Sequence, residues 1–414
     1  MIKKPIAISL SPNTEKQDIS LAAKMLFSPG QWLKGEKIKE LESSFKDYFK
    51  VKYAVSFNSG RSAEYALLKA MDLKKNDEVL IQAFTCVVVP NPILWLKAKP
   101  IYVDFEKDTL NMSPRDLKKK ITSKSKIVVV QHTFGKPAKM DEIKKIAKDK
   151  KLLLIEDCAH SLGAKYKNKK LGTDGEAAFF SFGRDKIISS VFGGMAITNN
   201  DRIGKKLLEI QKSLSFPSRF WVGQQLFHPL AFEIILPLYN LFSLGKLLLV
   251  VFQKLNLLSR AVSGEEKMSR QPRNYPRKLA NAQATLALSQ FHRLAKFNQK
   301  RKEIGEIYRQ ELKGIKTLKP VSGEIFMRYT ILSKQAKAMI NEAKKKGILL
   351  GDWYQNIVDP QGVNFEKAGY SWGSCPVAEE IASQVVNLPT YPRMGEKEAR
   401  RVINLVKAFL KKNV

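Results

Sequence analysis

Cysteine and histidine are scarce in this chain of 414 residues, which has three of the first and four of the second. Cys86, Cys158 and Cys375 stand far apart with no metal-ligand spacing. That excludes a disulfide scaffold and a zinc module, and it fits a reducing compartment, the cytoplasm. Acidic residues are also few, 39 against 72 Lys and Arg, for a net charge of +33. Such a surface favours anionic partners. The lysines, however, are scattered over helix faces such as KKLLEIQK and KEARRVINLVKAFLKK. No basic stretch interleaved with aromatics appears, so nucleic acid is not an expected partner. The start, MIKKPIAISLSPNTEKQ, has no long apolar core of a signal peptide. Repeats and low-complexity tracts are absent as well. With 44% hydrophobic residues, a chain of this length can bury a large core and form two domains.

What is present is an alternation of strand and helix patterns. Apolar runs at Tyr53–Phe57, Glu78–Ala83, Ile101–Phe105, Ile127–Thr133, Leu152–Asp157, Ala177–Phe182 and Met195–Thr198 are separated by polar helical segments such as Pro114–Lys120 and Met140–Lys150. This rhythm predicts an α/β fold with a mostly parallel, doubly wound sheet. Several strands end in polar residues that would meet at one mouth: Thr85 and Cys86, His132, Asp157 with His160, and Ser181 with Lys186. Later, Leu279–Leu312 reads as one long helical pattern, and Phe326–Val414 alternates strand and helix pieces, a smaller α+β domain. The expected division is a large domain over 1–212, a helical insertion over 213–272 and a small domain over 273–414.

The stretch from Leu152 to Gly194 carries the chemistry. Two short buried strands each deliver a charged side chain at their C-terminal end, Asp157 from the first and Lys186 shortly after the second. Ligands of open α/β sheets bind at that edge. A lysine amine can form a Schiff base with a carbonyl cofactor, while a carboxylate keeps a pyridinium nitrogen protonated so that the ring takes up electrons. That pairing is the chemistry of pyridoxal phosphate. Upstream, the strand Tyr53–Phe57 runs into Asn58-Ser59-Gly60-Arg61-Ser62-Ala63, a strand-to-helix turn of small and polar residues whose free amides suit a phosphate.

Leu226–Phe252 (LFHPLAFEIILPLYNLFSLGKLLLVVF) is the one long greasy segment. Pro229, Glu233, Pro237, Asn240 and Lys246 interrupt it, whereas a span needs about 20 predominantly apolar residues. It reads either as a helical insertion buried in the protein or in a dimer, or as a helix pair lying in a membrane interface. In the second case the protein would sit at the inner face of the membrane.

In order along nearly the whole length, the chain resembles the nucleotide-sugar aminotransferases of the DegT/DnrJ/StrS family, fold-type I pyridoxal-phosphate enzymes. The marks include GEKIKELESSFKDYF, NSGRSAEYAL, NDEVLIQAFTCVVVPNPI, QHTFGKPAKMDEI, IEDCAHSLGAKYKNKKLGTDGEAAFFSFGRDK, GGMAITNND, NAQATLALSQFHRLAKFNQKRKEI and VNLPTYPRMGEKEARRV. The resemblance implies that Lys186 forms the Schiff base, Asp157 pairs with the pyridine nitrogen and His160 stands beside the cofactor's phenolic oxygen. It also implies that Ser181, with Ser59, Gly60 and Arg61, holds the phosphate. Arg61 replaces a small hydroxyl residue, so its guanidinium is read as an added phosphate contact. Cys86 replaces a ring-stacking aromatic, which leaves the ring face to its thiol or to a neighbour such as Phe84. Asn274, in RNYPRKLANAQA, is the candidate for an asparagine that reaches the phosphate from the partner subunit, with Arg277 as its substitute. Histidine in place of Lys186 would mark a sugar dehydratase; lysine there favours amino transfer.

The expected protein is thus a homodimeric aminotransferase that moves an amino group from L-glutamate to a keto-sugar, nucleotide-linked, with no metal. Two other readings stay open at this point: a lipid-linked or cyclitol keto substrate, and a scaffold protein that binds the cofactor without turnover.

Overall fold

Seven short apolar strands line up as one sheet in the computed structural model, which describes residues 4–412. They are β1 (Tyr53–Phe57), β2 (Glu78–Gln82), β3 (Lys99–Val103), β4 (Ser125–Gln131), β5 (Leu153–Asp157), β6 (Ala177–Ser181) and β7 (Gly194–Thr198). Their order across the sheet is β1-β7-β6-β5-β4-β2-β3. All neighbouring pairs from β6 to β3 are parallel, and β7 runs antiparallel to both β6 and β1. The doubly wound, mostly parallel sheet is therefore as expected.

Because side chains alternate along a strand, each strand feeds two cores. Val55, Phe57, Val79, Ile81, Ile127, Val129, Ile155 and Phe179 face one side and pack on helix α1 (Gly60–Ala70) through Ala63, Ala66 and Leu67. Leu80, Val128, Val130 and Leu154 face the other side, against Met140, Ile143 and Ala147 of the helix Met140–Asp149. Next to them, Ala178, Phe180, Met195 and Ile197 meet Leu41, Phe45 and Phe49 of the helix Lys37–Phe49. Burial on both faces is why these strands read as near-continuous apolar runs.

The pattern Leu279–Leu312 becomes two helices, Asn281–Phe291 and Leu294–Glu311. The break falls at Arg293, whose guanidinium pairs with Glu15 and Asp18 at the start of the helix Lys16–Leu26. Satisfying the buried Asp18 charge outweighs helix continuity here. The C-terminal region builds a third core on the antiparallel pair β8 (Tyr329–Leu332) and β9 (Val385–Leu388), covered by Leu294–Glu311, Ala336–Lys345 and Glu396–Lys412. The two-residue strand Ile6–Ala7 joins that region by pairing with Ile348–Leu349. The greasy segment forms α2 (Arg219–Leu238) and α3 (Leu244–Lys254).

Four strands bring the site together. Phe57, Gly194 and Ser181 are side by side across β1, β7 and β6, and Asp157 lies beside Phe179 in β5 and β6. The end of β5, the end of β6 and the N-terminus of α1 therefore share one edge. Phe45 braces that edge from below, stacked on Phe291 at 4.5 Å and touching Phe180 and Phe182. Phe45→Ala should lower unfolding stability by roughly 3–5 kcal/mol, read by urea or guanidinium unfolding; a loss under about 1 kcal/mol would refute its bracing role.

Candidate active site

At this edge lies a cavity of about 310 Å³, lined among others by Ser59, Gly60, Arg61, Cys86, Asp157, His160, Ser181 and Lys186. Residues spread from 59 to 186 in sequence thus meet in one place. Lys186 follows β6 on the turn Gly183–Asp185, and its Nζ is 2.9 Å from Nε2 of His160. Burial pushes the Lys186 ammonium below its ordinary pKa, and the Arg328 charge pushes the same way against the opposing Asp185. Burial also pushes His160 well down, helped by the Lys186 and Arg328 charges, so the ring is neutral at pH 7. The Phe134 amide donates to its Nδ1 at 3.4 Å, which leaves the proton on Nε2, facing Lys186.

Asp157, at the end of β5, accepts from the Ala159 amide at 2.9 Å. Burial raises its carboxyl to about 6, against the Ala159 hydrogen bond and the Lys186 and His132 charges. Among the described residues no cation forms an ion pair with it, whereas Asp185 has one: Arg328 Nη2 donates to it at 2.7 Å. Burial favours protonation of Asp185, yet Arg328, Lys186 and Arg184 hold its carboxyl below the usual range.

Ser59 caps α1, its Oγ accepting from the Ser62 amide at 3.2 Å. The amides at the start of a helix have no acceptor in the helix itself and carry positive dipole. Backbone packs closely here: a Cβ on Gly194 would lie 2.4 Å from the Ser59 carbonyl, and one on Gly60 would lie 2.9 Å from the Ser181 Cβ. Glycine at both positions lets β7 and β6 press the turn into shape.

Three expectations need correction. The Arg61 guanidinium is not free for a phosphate: it pairs with the buried Glu266, donates to the Ala261 carbonyl at 2.8 Å and lies over the Tyr275 ring at 4.7 Å. A buried carboxylate demands that cation, so the side chain ties the 261–275 segment to α1. His132 also leaves the expected mouth. It is fully buried, with Nε2 3.1 Å from Glu156 and Nδ1 accepting from the Ala138 amide. Glu156 in turn accepts from the amides of Gly172, Asp174 and Gly175, so the pair staples a loop rather than serving the cavity. Thr85 is likewise spent, on Gln131 at 2.8 Å.

Cys86 lines the cavity, while Phe84 is buried away from it among Phe105, Phe134 and Tyr354. Burial raises the Cys86 thiol, so it stays uncharged at pH 7. Asn274 is exposed and outside the cavity, its carbonyl accepting from Asn58 at 2.8 Å. Arg277 is turned to Ser215 and to the Arg273 carbonyl.

Sequence reasoning missed Arg328, Trp353, Tyr354 and Glu64. The Arg328 guanidinium is stacked 3.5 Å over the Trp353 ring, and the Tyr354 hydroxyl is 3.4 Å from His160 Nε2. Glu64 stands one turn after Gly60 and is fully buried, its carboxyl raised well above the usual range by burial and the Asp157 charge. Only Glu64 had a signal, its i+4 spacing from Gly60.

The side chains fit pyridoxal phosphate on their own chemistry. There is a buried amine, a buried carboxylate lacking a cation, an uncharged histidine donor, and a helix start approached by glycine backbone. The fold and the site define a pyridoxal-phosphate enzyme of fold type I. The chain belongs to the DegT/DnrJ/EryC1/StrS aminotransferase family, whose model matches residues 13–223 and 251–407, and it is an aminotransferase. An uncharacterised protein of Methanocaldococcus jannaschii is 29% identical over 391 residues, spanning 92% of this chain and 91% of that one. The GDP-perosamine synthase of Escherichia coli O157:H7 is 25% identical, spanning 91% of each. Among solved structures, Helicobacter pylori PseC, an aminotransferase of pseudoaminic acid biosynthesis, superposes with a TM-score of 0.75 at 21% identity, over 99% of this chain and all of that one.

The Asp157 carboxyl gives a pH signature. In the folded, cofactor-free chain it keeps its proton up to about pH 6, but in the unfolded chain only to about pH 4. The folded state then holds more protons across that window, so stability falls as pH rises through it. Cofactor-free Asp157→Asn should be more stable than the parent at pH 7, by up to about 3 kcal/mol, and equal to it near pH 4. Equal stability at both pH values would show that Asp157 is not raised.

Proposed function

We propose that this protein is a homodimeric aminotransferase that moves an amino group from L-glutamate to a nucleotide-linked keto-sugar in the cytoplasm. The observation that carries the reading is the Lys186–His160–Asp157 group at the end of β5 and β6, beside the start of α1. The sugar class is supported by the family match and by relatives such as the GDP-perosamine synthase. Glutamate as donor rests on the family resemblance. The cysteines, all free, fit a reducing compartment.

Pyridoxal phosphate supplies an electron-withdrawing ring that takes up the charge left when a proton leaves the donor's α-carbon. The residues divide the remaining work. Lys186 anchors the cofactor through Nζ. Its amine would also take the proton from the donor's α-carbon, and burial, which favours the neutral amine, suits it to that task. Asp157 would offer its carboxylate to the ring nitrogen; a cation there would offset the burial that raises the carboxyl to about 6. His160 would stand beside the cofactor's phenolic oxygen, with Nε2 as its donor. Ser59 and Ser181 hydroxyls and the Gly60 and Arg61 amides hold the phosphate. Cys86 and Tyr354 wall the cavity with uncharged groups.

Asn274 fits a partner's site better than its own, since its side chain is exposed beyond the cavity while its backbone is held by Asn58, next to the cradle. A dimer with the two sites at its interface would use it in that way.

The purified protein should show a visible absorption band that L-glutamate bleaches, and should transfer isotope-labelled amino nitrogen to a nucleotide-linked 4- or 3-keto-6-deoxyhexose. Lys186→Ala should bind the cofactor without that band and lose about 10³-fold or more in amino transfer. A wild-type band unchanged by glutamate would point to another donor, and transfer to no keto-sugar at all would overturn the substrate class.

A further inference from the structure

Between its two matched portions, 13–223 and 251–407, the family model leaves out most of α2 and the first half of α3. This foreign hairpin is built unlike the rest of the protein. The start of α2 is part of the main body: Trp221, Val222 and Leu226 pack with Ala22 and Met25 of the helix Lys16–Leu26. Further on, Ala231, Phe232, Ile235 and Leu236 of α2 take one face of α3, with Leu248, Leu249 and Phe252 packed against them. That face of α3 is accounted for.

The opposite face is not. Leu244, Leu247, Val251 and Leu255 recur at helical spacing on the exposed side of α3, with Val250 between them. Leu247 is 58% exposed, Leu255 63%, and Phe242, in the turn that joins the helices, 97%. A helix apolar on all sides is ordinarily buried, and a contiguous exposed apolar surface of this kind marks an interaction site.

Charge decides what covers it. From Ile234 to Gly264 the chain has Lys246, Lys254 and Arg260 and no acidic residue. Lys246 lies along the Tyr239 ring, 5.4 Å from its centre, the posture of a lysine that buries its stem and keeps its ammonium in water. A second copy docked face to face would set Lys246, Lys254 and Arg260 against the same three cations, which opposes pairing of this face with itself. An anionic bilayer surface offers the opposite charge together with apolar depth. Among the described residues no helix is long and apolar enough to cross a membrane. We propose that α3 and the turn before it lie in the interface of an acidic lipid bilayer, Phe242, Leu247, Val251 and Leu255 inserted and Lys246 and Lys254 at the headgroups. The docking is independent of which sugar is aminated.

The test is flotation of the full-length holoenzyme with vesicles of phosphatidylcholine containing about one-third phosphatidylglycerol, and with phosphatidylcholine alone. The parent should float with the acidic vesicles, less so at high salt, and about tenfold less with the neutral ones. The double variant Leu247→Asp, Val251→Asp alters only exposed side chains, so its glutamate-dependent spectral change should be intact while acidic-vesicle binding falls about tenfold or more. Absence of binding to acidic vesicles would overturn the proposal. A double variant that changes the mass in solution without changing vesicle binding would assign the face to a second copy instead.

Discussion

Burial of Lys186 and Asp157 in one cavity is the constraint from which the rest of this site follows. Removing water from an amine and a carboxylate favours the neutral form of each. The direction is the same on both: Lys186 is pushed down and Asp157 up, to about 6. Two groups that attract each other in their charged forms are thus each drawn toward neutrality by desolvation, and no chain cation pairs directly with Asp157 in the way that Arg328 pairs with Asp185. A pyridinium nitrogen and a phosphate dianion change that balance. The first would give Asp157 a counter-charge and the second would be met by the positive end of α1. The charges that this cavity is suited to receive are therefore those of the cofactor.

Holding that set requires backbone geometry that no side chain supplies. β7 is the one antiparallel strand, and its reversal puts Gly194 between Phe57 and Ser181 at the edge where the parallel strands end. A side chain at Gly194 would strike the Ser59 carbonyl, and one at Gly60 the Ser181 side chain. The strand that leads to Lys186 and the turn at the start of α1 are consequently in van der Waals register through two glycines. Below them, the Phe45, Phe180, Phe182 and Phe291 rings fix β6 from the opposite face.

Legibility in the sequence followed locality. Asp157, His160, Ser181 and Lys186 belong to one strand–loop–strand unit, so the apolar runs and their polar ends announce them together, and the structure brings them to one cavity with Ser59, Gly60 and Cys86. The sheet was legible for the same reason, each strand being an apolar run buried on both faces. Contacts across long separations were not. Arg61 and Glu266 are 205 positions apart, and nothing near Arg61 tells that its guanidinium is already engaged. Arg328 reaches Asp185 across 143 positions and leaves no periodic trace. The break at Arg293 arises from ion pairs with Glu15 and Asp18, which helical spacing within 279–312 cannot contain. His132 misled because a polar residue at a strand end has two uses, and its partner Glu156 was hidden as the neighbour of the more conspicuous Asp157.

The hairpin obeys different physics from the site yet touches it. Ala261, just beyond α3, lines the main cavity, and a neighbouring cavity of about 230 Å³ has Arg184, Asp185, Ala261 and Trp353 in common with it. The far wall of that second cavity is His228 and Phe232 of α2, Leu249 and Gln253 of α3, and Leu258. The inward side of the hairpin thus lines a cavity that shares four residues with the main one, while its outward side is apolar and basic. Arg61 strengthens the connection, because its pairing with Glu266 and the Ala261 carbonyl anchors the chain leaving α3 to the first turn of α1. A displacement of the hairpin would be transmitted to the phosphate-facing turn through that one buried ion pair, whose separation would leave a charge without a partner on either side. The Arg61 side chain is thus engaged in fastening the segment that follows α3 to the first turn of α1.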